Sequence, residues 1–417
     1  MQRKPVTLSI PFDVAMIPVV TGFVENSGGA FGLGKRECLS LTLAAEEVFA
    51  FIAATGDPDR EIQIICHNYG YYVEMAFQLK SGILPLETFN LTLNPTVDKA
   101  EDVDRLGLIL ASRTVDRLAV DRVGKDTFIL RFIMDKRYPV PEPVILPEPN
   151  GRFQVREADY ATISELSMRI LSGYADSAVS FLKIPGKLLD MVKSGDYEAL
   201  VALNEKGQVG GGVVFGKNLQ MSEAYGPFVF TGDDRIPQML AEMMIEKLGR
   251  TKDTVCLTIM APTPQTPLDY FERLPGGAVY RQLLEDDGAR VFAHPLIKSF
   301  LNGFYQDLAL PRVIQDVAHM GEELAQHSAI AAAIDRQGRK SELTLLSAGQ
   351  NLEENLRAHL KLLQTQEIGE ISYWMRLGAA EEVIMAPQVL AAGFEPVMVL
   401  PWARQGDVAV FRYRGRA

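Results

Sequence analysis

Residues 39–54 read LSLTLAAEEVFAFIAA, and the interpretation of the first third of the chain depends on this stretch. Its apolar side chains recur at steps of three and four residues, and neither Pro nor Gly interrupts the run. That spacing predicts an amphipathic helix. Glu47 and Phe51 are four positions apart, so they lie on one face of this helix.

The flanking segments alternate or repeat in ways that predict a sheet with helices packed on it. Residues 6–10 have the pattern of a first strand, and residues 14–26 that of a helix. Two strands are predicted at residues 62–67 and 72–79, joined by a tight turn, and a further strand at residues 126–132. The first third therefore has several helices and one sheet.

This element order, with the motif L-x-L-A-x-E-E at residues 41–47, resembles the GHKL ATPase family, in particular the anti-sigma serine kinases of bacterial partner switching. The resemblance implies that Glu47 is a general base and that ATP with Mg²⁺ is a cofactor. Where the family has a magnesium-binding Asn, this chain has Phe51, whose ring offers the ion no oxygen ligand. A solvated helix carboxylate is the alternative interpretation of Glu47.

Two other motifs of that family are also altered. Its Asp-x-Gly, which accepts a hydrogen bond from adenine, reads KSG at residues 80–82, and a lysine ammonium cannot accept one. Its Gly-x-Gly, which brings backbone amides close to phosphate, reads RLG at residues 105–107. The resemblance implies Gly82, Arg105 and Gly107 as nucleotide contacts in a degenerate site.

Proline composition predicts the clearest domain boundary. Five prolines lie between residues 139 and 149, and they favour an extended spacer without helix or sheet hydrogen bonds. We therefore predict a GHKL-like domain at residues 1–137 and a linker at residues 138–151.

After the linker the pattern changes to a strand, two helices and a hairpin. The opening V-R-x-A-D at residues 155–159 and the hairpin sequence VALNEKGQVG at residues 201–210 resemble the GNAT acyltransferase family, whose hairpin has the pattern V-A-x-x-x-G-x-x-V-G. The hairpin contains three consecutive glycines, residues 210–212, which predict a bulge or a tight crossing. The resemblance implies a GNAT-like domain at residues 152–312 with acetyl-CoA as its cofactor.

In that family a strand, a glycine-rich loop and a helix hold the pyrophosphate of acyl-CoA. Here a strand is predicted at residues 226–230 and a helix from about Pro237, while the loop reads DDRIPQ. Its two carboxylates repel phosphate, and its proline removes one amide donor. The resemblance implies Val229, Arg235 and Gln238 as acyl-CoA contacts, whereas an ordinary helix start at Pro237 is the alternative.

The last part of the chain, residues 313–417, again alternates strands and helices. Its order of helix, strand, helix, glycine turn and strand also occurs at residues 238–291, which predicts a second GNAT-like half. The predicted fold class is therefore α/β (α+β), with a GHKL-like two-layer sandwich followed by one or two GNAT-like mixed-sheet domains.

Composition narrows the range of functions. A formal net charge of -11 argues against a nucleic-acid backbone or an anionic membrane as the main partner. Three distant cysteines give no disulfide framework, and the five histidines lack ligand spacing, so we expect no metal site. There is no signal-peptide core and no apolar run of about 20 residues, so we expect a cytoplasmic protein.

Two functional hypotheses follow. In the first, the chain is a regulatory protein of bacterial signalling with degenerate nucleotide and acyl-CoA sites, acting through a STAS-type anti-anti-sigma or sigma-factor partner. The alternative is an active enzyme, either a GNAT-type N-acyltransferase using acetyl-CoA or an ATP-dependent serine kinase using Glu47. Either hypothesis allows a homodimer, and the sequence assigns neither partner nor cofactor.

Overall fold

The computed structural model describes residues 3–55, 60–80, 86–92, 107, 111, 113–122, 127–216, 220–318, 324–335, 338–404 and 406–415. These residues form a mixed α/β protein with three sheets of five, seven and five strands and a separate two-stranded pair. The fold class predicted from the sequence is confirmed at this level.

The first sheet is antiparallel throughout, with the order β1-β2-β3-β5-β4. The helix predicted at residues 39–54 lies within α2, and its Leu41, Val48 and Ile52 are completely buried in the core of this region. The elements are β1 Arg3–Pro11, α1 Ile17–Ala30, α2 Lys35–Thr55, β2 Glu61–Asn68, β3 Tyr72–Lys80, β4 Arg117–Arg122 and β5 Thr127–Asp135.

The proline-rich segment, residues 136–153, contains neither helix nor strand. It lies against the region that follows, because the Tyr138 hydroxyl donates to Asp190 at 2.7 Å and Arg169 Nη1 donates to the carbonyl oxygen of Pro147 at 3.2 Å. The segment is therefore held at both ends.

The second sheet has seven strands in the order β11-β12-β10-β9-β8-β7-β6. All neighbours are antiparallel except β9 and β10, which are parallel and are connected by α5. The elements are β6 Gln154–Glu157, α3 Tyr160–Gly173, α4 Pro185–Ser194, β7 Tyr197–Leu203, β8 Val209–Gly216, β9 Met221–Val229, α5 Arg235–Gly249, β10 Cys256–Ile259, β11 Glu272–Arg273 and β12 Val279–Gln282.

Two details of this sheet were only partly predicted. Strand β9 begins at Met221, five residues before the predicted start, and α5 begins at Arg235. Strand β9 also carries one extra residue, because Val214 pairs with Tyr225 and Gly212 with Phe228, which defines a β-bulge.

The three glycines of β8 allow close packing on both faces of the sheet. A Cβ at Gly211 would lie 2.7 Å from Ile236 on α5, and one at Gly212 would lie 2.6 Å from Leu166 on α3. Both distances are shorter than real Cβ contacts, so the prediction of a tight crossing is confirmed.

The last part of the chain forms a two-stranded parallel pair and a third sheet. The order of the third sheet is β15-β16-β17-β19-β18, in which only β16 and β17 are parallel. The elements are β13 Ala289–Ala293, α6 Pro295–Asp307, β14 Arg312–Asp316, β15 Ala329–Asp335, β16 Lys340–Ser347, α7 Leu352–Thr365, β17 Glu370–Arg376, α8 Ala380–Val383, α9 Ala386–Ala391, β18 Phe394–Leu400 and β19 Val408–Tyr413.

A buried ion network joins the second and third sheets. Arg312 Nε lies 2.7 Å from Asp407 Oδ2, and Arg312 Nη1 lies 2.9 Å from Asp286 Oδ2. The Arg312 side chain is 0% exposed and stacks on the Trp402 ring at 5.1 Å. Asp286 follows β12 and Asp407 precedes β19, so the network fixes the third sheet against the second.

Candidate functional site

The candidate site lies where β9 runs parallel to β10. Glu223 on β9 is opposite Thr258 on β10, and Thr258 is opposite Tyr280 on β12. Successive strand residues point to opposite faces, and the neighbouring Ala224 and Leu257 pack in the core formed with α5. Glu223, Thr258 and Tyr280 therefore form a row across the face that points away from α5.

Glu223 is partly exposed, and its carboxyl group is tuned by its surroundings. The pKa of Glu223 is raised to about 7, mainly by burial and in smaller part by the charge of Glu342, while a hydrogen bond from Tyr225 opposes the rise. A carboxyl group whose pKa lies near neutrality can both accept and release a proton under physiological conditions, which is the property of an efficient general base.

A cluster of aromatic rings begins beside this carboxyl group. Tyr225 is hydrogen-bonded to Glu223 and to Tyr197, so the three side chains form one chain. The Phe181 ring, from the segment between α3 and α4, lies 5.6 Å from the Tyr197 ring and 5.1 Å from the Tyr225 ring. The carboxylate and the three rings are well suited to a cation that also has apolar surface.

Thr258 contributes a polar atom that the fold does not satisfy. Its side chain is 0% exposed, and its hydroxyl has no hydrogen-bond partner among the residues that the structure describes. Leaving a buried hydroxyl unpaired costs roughly 1–3 kcal/mol. Because this hydroxyl lies on the same face as Glu223, a bound ligand could satisfy it.

The N-terminal region is fixed to the elements around this site. Asp135 on β5 accepts from Arg117 Nη2 and from Lys187 Nζ on α4, both at 2.8 Å. The charge of Arg117 also acts on Tyr197, although burial is the larger cause of the raised pKa of this phenol. The first sheet therefore lies close to the tyrosines of the site.

Side chains close the gap between the ends of β9 and β10. The Tyr174 hydroxyl accepts from the Val229 amide at 3.0 Å and lies 3.1 Å from the Val229 carbonyl oxygen. The Thr263 hydroxyl, just after β10, donates to the Pro227 carbonyl oxygen at 2.7 Å. A ligand that entered between the two strands here would have to displace these contacts.

The residues predicted to contact acyl-CoA already have other partners or point to solvent. Both polar backbone atoms of Val229 are bonded to Tyr174. Asp233 accepts from the amide of Arg235 at 3.1 Å and from its guanidinium at 2.7 and 2.9 Å, and these side-chain hydrogen bonds lower the pKa of Asp233. Gln238 is exposed on α5. The Asp233 carboxylate thus accepts the hydrogen bond of the first amide of α5, so this amide is not available to the diphosphate of CoA. The residues at this end of the helix therefore do not fit that diphosphate.

The structure brings together the predicted general base, Glu47, and one predicted nucleotide contact, Gly107. A Cβ at Gly107 would overlap Oε2 of Glu47 and lie 3.0 Å from its Cδ. Burial, followed by the charge of Glu46, raises the pKa of Glu47. Phe51 packs against the core of this region. Gly82 and Arg105 lie outside the described residues.

The parts of the chain that the structure describes contain no group of three or more His, Cys, Asp or Glu side chains that could hold a metal ion. None of their helices is both long and apolar enough to span a bilayer. The three cysteines are free and buried.

Sequence analysis missed Glu223, Tyr225 and Thr258. The sequence did contain one indication of the site. Glu223 and Tyr225 are two positions apart in an otherwise buried strand, so they point to the same face of the sheet. The predicted strand started at residue 226, so these two residues were not included in it. The tyrosines and the facing Glu342 are brought together only by tertiary structure.

Comparison with known proteins gives limited similarity. No protein-family model matches the chain, and no curated protein matches it. A GNAT family N-acetyltransferase from Escherichia coli in complex with CoA is 17% identical, over 34% of this chain and 87% of that chain, with a TM-score of 0.26. An acetyltransferase of the GNAT family from Staphylococcus aureus is 14% identical, over 32% and 99%, also at 0.26.

A third solved structure, a GNAT superfamily phosphinothricin acetyltransferase from Sinorhizobium meliloti in complex with AcCoA, is 17% identical over 31% of this chain and 88% of that chain, at a TM-score of 0.24. At these TM-scores the likeness carries no argument about function. The comparisons give no support to the GHKL resemblance of residues 1–137.

Proposed function

We propose that the second sheet carries an acyl-transfer site that acts on an amine, with Glu223 as its general base. The observation that carries this proposal is the position of Glu223, whose pKa is about 7, beside the one parallel strand pair of its sheet. The resemblance of the sequence to GNAT acyltransferases supports the same function.

As the general base, Glu223 would remove a proton from an ammonium group. An amine is protonated at neutral pH and becomes nucleophilic only after it loses that proton. The Glu223 carboxylate attracts the ammonium group and can take its proton, because the two pKa values are brought closer by the burial of Glu223. Tyr225, which is itself hydrogen-bonded to Tyr197, holds the carboxyl group in place through its hydrogen bond.

The acyl donor of this proposal is acetyl-CoA, which would supply the acetyl group as a thioester. Because Asp233 occupies the first amide of α5, the proposal assigns no residue to the diphosphate of CoA. The residues that it assigns bind the amine that accepts the acetyl group, and they are Glu223, Tyr225, Tyr197 and Thr258.

The test is an acetyl-transfer assay that follows release of the CoA thiol with and without a primary amine. Wild type is expected to release thiol in an amine-dependent manner, and Glu223→Gln to reduce the rate at least 100-fold, as expected for loss of a general base. Glu370→Gln, an exposed carboxylate on β17, is the matched control and should keep the wild-type rate. Equal rates in wild type and Glu223→Gln would refute the proposal.

A second candidate function is the regulatory one, in which the chain acts through a STAS-type or sigma-factor partner without catalysis. The specific observations that favour it are the Asp233 carboxylate at the start of α5 and the Tyr174 contacts that close the gap beside β9. Phe51 at the magnesium position of the GHKL-like region supports the same view for ATP.

Calorimetric titration with acetyl-CoA separates the two candidates. Tyr174→Phe removes the hydroxyl that bonds Val229, and Tyr270→Phe is the control because its hydroxyl bonds the exposed Glu242 at 2.5 Å. Binding that is stronger in Tyr174→Phe than in wild type supports an acyl-donor cleft that this tyrosine closes. Absence of binding in both, together with capture of a partner protein, supports the regulatory function.

A further inference from the structure

The second and third sheets contain the same arrangement of four strands. In the second sheet, β9 and β10 are parallel neighbours joined by α5, and the order continues β10-β12-β11. In the third sheet, β16 and β17 are parallel neighbours joined by α7, and the order continues β17-β19-β18. The chain thus has two topologically equivalent half-sheets.

Equivalent positions of the two half-sheets carry the same chemistry. Glu223, two residues after the first residue of β9, is opposite Thr258. Glu342, two residues after the first residue of β16, is opposite Ser372. Each half-sheet therefore places a carboxylate beside a hydroxyl on its parallel strand pair.

The two carboxylates also lie on corresponding faces. Leu343, next to Glu342, packs in the core with residues of α7, so Glu342 points away from that helix. Glu223 points away from α5 for the same reason. The charge of Glu342 acts on Glu223, so the two carboxyl groups lie near each other. Cys256 Sγ lies 3.5 Å from the Pro401 carbonyl oxygen, so the two regions are also in contact nearby.

Glu342 already has a cationic partner within the chain, the guanidinium group of Arg404. Arg404 Nη2 lies 3.4 Å from Glu342 Oε2, and its guanidinium stacks on the Trp374 ring at 4.8 Å. Trp374 Nε1 in turn donates to Ser372 at 3.0 Å. Both members of the ion pair are about 40% exposed, so the pair is weak and a ligand cation could replace Arg404.

We propose that the amine taken by this site is a small aliphatic diamine, bound with one ammonium group at Glu223 and Thr258 and the other at Glu342 and Ser372. This inference rests on the proposed function and names its substrate class. Two equivalent carboxylate and hydroxyl pairs, whose carboxyl groups are near enough for the charge of one to act on the other, suit a ligand with two equivalent cationic ends. The buried Thr258 hydroxyl, which has no partner in the described parts of the chain, is an independent sign of a ligand.

The test is calorimetric titration of the full chain with 1,4-diaminobutane and with butylamine at equal ionic strength. The diamine is expected to bind at least tenfold more tightly, because only it can reach both carboxylates. Glu342→Gln should reduce this preference to within twofold, and Glu370→Gln should keep it. Circular dichroism of each variant verifies that it is folded.

Equal affinities of wild type for the two amines, or no binding of either, would overturn the inference. An unchanged preference in Glu342→Gln would do the same. An acetyl-transfer assay separates this inference from the proposed function. Equally efficient transfer to both amines would support the proposed function and refute the diamine as the substrate class. Selective diamine binding without any transfer would retain the diamine site and refute the acyltransferase.

Discussion

Replacing Arg312 by Leu tests whether the buried ion network holds the two half-sheets together. The Arg312 guanidinium contacts Asp407 at 2.7 and 3.2 Å and Asp286 at 2.9 Å, and none of the three side chains is more than 4% exposed. The Leu variant would leave two buried carboxylates without a counter-charge. Removing one partner of a buried ion pair costs about 3–5 kcal/mol, and we expect the free energy of unfolding to fall by that amount.

Urea denaturation followed by tryptophan fluorescence measures this effect locally. The only two tryptophans, Trp374 and Trp402, both lie in the third sheet or next to it, and Trp402 stacks on Arg312. Arg250→Leu is the control, because Arg250 forms a highly exposed pair with Glu246 and should change stability by less than about 1 kcal/mol.

A loss of stability in Arg312→Leu below about 1 kcal/mol at pH 8, equal to that of the control, would refute this account of the network.

Three further substitutions or measurements test other parts of the fold. Gly210→Ala should lower the free energy of unfolding by about 1–3 kcal/mol through overpacking, because the added Cβ would lie 2.7 and 2.9 Å from ring atoms of Phe153. Thermal melting should show that adding Phe153→Leu recovers part of this loss of stability. Gly107→Ala should destabilise the N-terminal region by displacing Glu47, and adding Glu47→Ala should relieve it; a destabilisation that persists in the double variant would contradict the contact. Burial raises the pKa of Cys66 to about 12, so this thiol should react with a disulfide reagent only as fast as the protein unfolds, and rapid labelling of the native chain would contradict its burial.

Local sequence patterns were sufficient for the elements whose periodicity is strong. The 3.6-residue spacing of residues 39–54 predicted α2, and two helices were predicted between the first strand and the hairpin of the region after the linker, where α3 and α4 lie. These features depend on contacts between residues close in sequence.

The site was less accessible because it depends on contacts distant in sequence. Glu223 and Glu342 are separated by more than a hundred residues, and only strand pairing and sheet packing place them near each other. Motif comparison instead selected Val229, Arg235 and Gln238, whose partners in the fold include Tyr174 and Asp233. A motif gives the residue types of a site, but it does not show which side chains already occupy their hydrogen bonds.

Titration of Glu223 by ¹³C NMR of glutamate-labelled protein tests whether this carboxyl group ionises near neutral pH. Comparison with Glu223→Gln assigns the resonance. We expect an inflection at about pH 7, above the value of about 4.3 for a solvated glutamate. An inflection below pH 5 would show a carboxylate that is already ionised and solvated, and it would contradict the assignment of Glu223 as the general base.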